Sequence, residues 1–227
     1  VRVSGIAAIP AVLEQLGARP DDVLAAAQVD RSVFDDESNS IGFATVGHLV
    51  RECVARTGCE HFGVLVGQHG GPRSFGLIGL AMRHTANVHS ALTMLATYIH
   101  LYYGGQTLTL EEHGEVAVMS YSITSPGVEA VDQIEDGALA IFFNVLRSLC
   151  GPDWLPLEVR FAHRRPKNVR PFIRAFQTTL TFDAECSALV VSSHWLRRSL
   201  TNADAELESL LRQEIEKIKQ SRGKSFP

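Results

Sequence analysis

The period of the apolar residues changes at two glycine-containing breaks, and that change limits what the chain can fold into. Before the first break the spacing is helical. Ala91, Leu95, Tyr98 and Tyr102 form one stripe with Leu92 and Ile99 beside it, between Ser90 as a cap and Gly104-Gly105 as a stop. Between the breaks the period is two. Leu108 and Leu110 alternate with Thr107 and Thr109, His113-Gly114 marks a turn, and from Glu115 to Ile123 Val116 and Val118 oppose Ala117, Met119, Tyr121 and Ile123. After Ser125-Pro126-Gly127 the helical spacing returns over residues 128–150, acidic at its start and almost wholly apolar from Ala138 to Val145, until Gly151-Pro152. A hairpin therefore sits between two helices.

The flanking segments extend the pattern. Ile6, Ile9, Val12, Leu13 and Leu16 predict a short helix ending at Gly17; residues 21–29 and 45–58 predict two more, and Phe62, Val64 and Leu65 a fourth before Gly70-Gly71-Pro72. Downstream, residues 157–162 alternate as a strand, 169–176 read as a helix, and 178–182 and 188–191 read as strands around an acidic turn. Helices interleaved with neighbouring strands imply an α+β fold, a largely antiparallel sheet packed against helices, with a helical N-terminal region and a C-terminal linker helix. That last helix is capped by Asn202 or Asp204 and carries Leu207, Leu211, Ile215 and Ile218 at steps of four, four and three, with Leu210 alongside. Such a narrow stripe suits dimerisation or packing on the chain's own domain. Residues 1–200 are expected to form one domain and 201–227 a linker or dimerisation helix, frayed from Ser221 onward.

Charge divides the chain. Residues 1–150 hold eight arginines and no lysine against 16 acids, a net of −8, whereas residues 151–227 carry a net of +4. An acidic body is the wrong surface for a nucleic-acid reader, which needs a concentrated basic face. The longest uncharged stretch, Thr85 to Leu110, is too polar to span a membrane. Four cysteines without a CxxC pair fit a reducing, cytoplasmic setting, and no signal peptide is expected.

Reactive constellations are sparse. GxSxG, HExxH and P-loop patterns are absent. Cys59-Glu60-His61 brings a thiol near an imidazole in sequence, but i,i+2 neighbours on a helix end face apart. Cys53 and Cys150 read as core residues, and His84 and His89 are poorly spaced for one metal. The expectation is no metal and no cofactor. What remains is a cleft between layers lined by apolar bodies with polar tips. Tyr98, Tyr102, Met119, Tyr121, Phe142, Phe161 and His163 are the candidate lining residues. Two rival readings stay open: a small hydrolase using His163 or His100, and a purely structural dimerisation module.

A resemblance sharpens this. Gly151-Pro152-Asp153-Trp154-Leu155-Pro156 runs on through Glu158-Val159-Arg160-Phe161-Ala162-His163-Arg164-Arg165-Pro166, then Pro171-Phe172, Leu180-Thr181-Phe182, Ala188-Leu189-Val190-Val191 and Ala203-Asp204-Ala205-Glu206-Leu207. Upstream, Phe62-Gly63-Val64-Leu65-Val66-Gly67 and Phe75-Gly76-Leu77-Ile78-Gly79 fit the same pattern. Together they resemble the N-terminal effector domain of AraC/XylS-type bacterial transcription regulators, in the branch that contains ornithine-utilisation regulators. The resemblance implies that residues 1–200 are an effector-binding, regulatory domain that is not an enzyme, takes a small-molecule effector, and reaches DNA only through a C-terminal helix-turn-helix domain that these 227 residues lack. Relaying the effector's change or pairing two copies as a homodimer are the two uses left to the last helix.

Overall fold

The computed structural model describes residues 1–223, and it opens with a helical layer. Helices α1 (Ile9–Gln15) and α2 (Pro20–Ala26) each carry proline in the first turn, where a missing N–H leaves no bond unmade. Helix α3 (Phe43–Thr57) stops at Gly58 in the left-handed region, and α4 (Phe62–Gln68) follows after a short turn. Their apolar faces meet in a core of their own around Ile9, Leu13, Val46, Leu49, Val50 and Phe62.

A second, larger core lies beyond it. Helix α5 (Gly76–Met82) is an element that the glycine-rich sequence did not announce. Helix α6 (Val88–Tyr98) starts before Ser90, because the Asn87 carboxamide accepts the Ser90 backbone N–H at 2.9 Å and caps the first turn. It also ends earlier than its apolar stripe, passing into a 3-10 turn over Ile99–Leu101. Strands β1 (Gln106–His113) and β2 (Val116–Ile123) form the expected antiparallel hairpin. Helix α7 (Val131–Cys150) begins three residues later than its pattern, since Ala130 takes a left-handed conformation.

The remaining strands are β3 (Glu158–Arg160), β4 (Thr179–Thr181) and β5 (Ser187–Ser192), with α8 (Arg170–Phe176) between β3 and β4. The sheet order is β1-β2-β5-β3-β4, antiparallel throughout except for the β3–β4 pair. Central strand β5 is buried on both faces over Ser187–Val191, which is why Ala188–Val191 is continuously apolar rather than alternating.

Helix α7 joins the two cores. It crosses α4 so closely that a Cβ on Gly63 would lie 1.8 Å from the Gln133 carbonyl oxygen, so only glycine permits the contact. The Gln133 side chain clasps the crossing, accepting from the Gly63 N–H and donating to the Glu60 carbonyl, both at 3.0 Å.

After the short α9 (Ser193–Leu196), helix α10 (Ala205–Gly223) begins at the expected cap: Asp204 accepts the backbone N–H groups of Glu206 and Leu207. Its stripe turns toward α5 of its own chain. Ile215 is fully buried in the larger core, Leu211 packs against it, and Leu207 and Ile218 are half-buried. Residues 221–223 continue the helix, and the rest of the expected linker, 224–227, lies outside the described residues.

Candidate functional site

Where the helical layer meets α7 and the sheet, the two cores do not close. A cavity of about 80 Å³ remains at the seam. Ile9, Val46, Val50, Phe62 and Val66 wall one side; Phe75, Tyr121, Ile141 and Phe142 wall the other. Phe75 and Phe142 stack with centroids 6.0 Å apart and planes 8° from parallel, and Tyr121 meets Phe142 edge-on at 5.5 Å.

The lining carries no charged side chain and four polar ones: Tyr103, Gln106, Tyr121 and Gln133. Two are committed. Gln133 holds the α4–α7 crossing, and the Tyr103 hydroxyl donates to the Ser74 carbonyl at 2.8 Å and meets Ser4 Oγ at 3.3 Å. Burial pushes the Tyr103 phenol up to about 12. Burial, reinforced by the nearby Glu135 carboxylate, raises Tyr121 still further, so both hydroxyls stay protonated. Gln106 is different. Both polar atoms of its carboxamide are buried and neither has a hydrogen-bond partner among the described residues.

Of the seven side chains expected to line a cleft, Tyr121 and Phe142 stand in this cavity. Met119 is buried on the same face of β2 but outside the lining. Tyr98 faces the last helix, its hydroxyl donating to Glu216 at 2.6 Å, and Tyr102 lies under the Arg2 guanidinium at 4.8 Å. Phe161 sits in a solid aromatic cluster, stacked on Phe182 at 4.9 Å and edge-on to Phe172 at 5.3 Å, with His163 beside it. The sequence reading missed Gln106. Its signal was legible: Gln106 shares the face of Leu108 and Leu110, a polar residue at a core-facing position of the alternation.

His163 has a buried partner. Its Nε2 meets Asp136 Oδ1 at 3.0 Å and its Nδ1 faces the Arg164 carbonyl at 2.8 Å, so both ring nitrogens are occupied. Burial lifts the Asp136 carboxyl to about 6 against the pull of His163. Burial also opposes the His163 cation, yet Asp136 outweighs it and raises His163 to about 9. At neutral pH the two form an ion pair rather than a general base with a free nitrogen. His100 is exposed on the 3-10 turn. Cys59 Sγ does reach His61 Nδ1, at 3.6 Å, because His61 precedes α4 and the two residues bracket a turn rather than share a helix face. Burial raises that thiol, which keeps it protonated and unreactive. Among the described residues no group of three or more His, Cys, Asp or Glu side chains is arranged to hold a metal, and no helix is long and apolar enough to cross a membrane.

A second hollow is an open groove beside the α7 N-terminus. There His163, the one candidate lining residue that borders this hollow, stands with Arg51, Arg164, Arg165 and Lys167 alongside Glu60 and Asp132.

An uncharged cavity at the joint of two cores is the kind of concave, mostly apolar site that takes a small molecule. The comparisons agree in class. The model for the arabinose-binding N-terminal domain of AraC transcription regulators matches residues 17–200, and the chain belongs to that family. An ornithine utilization regulator from Pseudomonas aeruginosa is 22% identical over 196 residues, covering 85% of this chain and 57% of that protein. The crystal structure of the transcriptional regulator CdpR from Pseudomonas aeruginosa superposes with a TM-score of 0.62 at 14% identity, over 83% of this chain and 58% of that one. At that identity the second likeness speaks for the fold. The chain thus spans less than two thirds of each of these regulators.

Proposed function

We propose that residues 1–200 sense a small-molecule effector in the seam cavity and that residues 201–227, mainly α10, pass its occupancy to the DNA-binding part of a regulator. The observation that carries this reading is the continuity between cavity wall and last helix. Phe75 lines the cavity and ends the turn Pro72–Phe75, and α5 begins at the next residue. A Cβ on Gly79 would lie 1.7 Å from the Pro72 carbonyl oxygen, so turn and α5 are locked and move as one body. Helix α10 rests on α5.

Size supplies the motion. A cavity of about 150 Å³ takes a benzene ring, so one of about 80 Å³ is too small for a typical metabolite unless a wall moves. The seam is the weakest wall, because the two cores meet there without filling the space. An effector that binds only the widened form shifts the population toward it and reseats α10 through Phe75 and α5. Pairing of two copies through Leu207, Leu211, Ile215 and Ile218 is the rival use of the stripe; it requires α10 to leave its seat, since Ile215 is buried in its own domain.

The test is methyl NMR of the 227-residue chain during titration with a panel of amino acids, short acids and fatty acids. A binder should move the Ile9, Val46 and Ile141 methyl signals together with that of Ile215. Ala138→Leu, which fills the cavity, should abolish both effects. Binders that move only outer-surface signals, or silence across the panel, would count against the proposal.

A further inference from the structure

The unpaired carboxamide of Gln106 specifies what the cavity accepts. Each other polar lining group has either its partners or a single hydroxyl to offer, whereas Gln106 presents a buried donor and a buried acceptor together. Burying an amide without partners is unfavourable, so a polar residue kept at the core-facing end of β1 calls for a ligand group that completes it.

Charge settles the rest of the ligand. The wall has no Lys, Arg, His, Asp or Glu to compensate an ionised group, its Val1 ammonium is engaged by the Ile41 carbonyl at 2.6 Å, and a buried uncompensated charge is far more costly than a buried amide. A free sugar fares no better, because its several hydroxyls would face two unpaired polar side chains, Gln106 and Tyr121, and leave the others without partners. We infer that the effector is an uncharged molecule with an apolar body and one terminal group that both donates and accepts a hydrogen bond, an amide or lactam being the closest complement, seated head-first on Gln106. Zwitterionic amino acids and free pentoses fall outside that class. This inference rests on the cavity being the effector site.

Hexanamide is the probe, with L-ornithine and L-arabinose as polar comparators, each titrated into the 227-residue chain by calorimetry and methyl NMR. Hexanamide should bind and move the cavity methyl signals, and the comparators should leave them in place. Gln106→Met preserves size and removes the amide, so it should weaken hexanamide about tenfold. The same change should raise the unfolding midpoint of the ligand-free protein by about 2–4 °C, because it deletes a buried unpaired group. Ala138→Leu, with Gln106 intact, should block hexanamide. Hexanamide that fails to bind, or binds Gln106→Met as well as the parent, overturns the ligand class, as does ornithine or arabinose entering the cavity. In that last case the cavity remains the effector site. If binders move only signals around Arg51 and Lys167, both the class and the site fall.

Discussion

Ile215→Ala isolates the seat of the last helix. Among the described side chains of α10, Ile215 alone is fully buried, and the rest of its seat is partial: half-buried Leu207, Leu211 and Ile218, the Tyr98–Glu216 hydrogen bond at 2.6 Å, and Lys219 over the Tyr98 ring at 5.9 Å. Truncating a core isoleucine to alanine typically costs about 2–5 kcal/mol. Near a helix that can settle into the gap, the lower end applies, so about 2 kcal/mol is expected. Since most of α10 projects charged side chains to solvent, this loss releases the helix rather than the domain. An opening made easier by about 2 kcal/mol is populated about 30-fold more. Hydrogen exchange should therefore show protection over residues 205–221 falling by that factor while α7 and β5 keep theirs. Sedimentation should show the same species before and after. Unchanged exchange over α10, or an equal fall in α7, would refute the view of α10 as a detachable element docked by one side chain. A drop in molecular mass would show instead that Ile215 works between copies.

Two further outcomes follow from the packing. Asp136 and His163 both have carboxyl and imidazole pKa values raised by folding, to about 6 and about 9, so each favours the folded state at low pH and loses that contribution as pH rises through its folded value. The unfolding midpoint should fall between pH 6.5 and 9, and Asp136→Asn should flatten that fall; a midpoint that rises over this range would contradict the pairing. Gly63→Ala places a methyl 1.8 Å from the Gln133 carbonyl oxygen and must push α4 off α7, at a cost of about 1–3 kcal/mol or more by thermal denaturation. A neutral result would mean that the crossing is looser than it looks.

Much of the fold could be read from short-range pattern. The hairpin of β1 and β2 follows from alternation around Gly114, and α10 from its cap at Asp204 and its stripe. These depend on contacts within a few residues, which the sequence writes down directly. Element ends were less legible. Asn87 and Ala130 moved the starts of α6 and α7, because capping and backbone conformation turn on single residues. Helix α5 was hidden for another reason: Gly76 and Gly79 break the apolar rhythm, and what they serve, a positive φ beside Arg2 at Gly76 and a close approach to Pro72 at Gly79, involves neighbours that sequence spacing does not reveal.

The candidate site lay further still from view. Of the aromatic residues expected to line a cleft, Tyr121 and Phe142 stand in the cavity. Tyr98 and Phe161 take their rings to other places, one beneath α10 and one into an aromatic cluster with Phe182. The sequence by itself determined the class of fold, the acidic body and the charged terminal helix, since composition and periodicity act locally. Only the tertiary structure decided where the hollow lies and that Gln106 is left unpaired within it, because a cavity is a failure of two surfaces to meet, and those surfaces come from segments as far apart as Ile9 and Phe142.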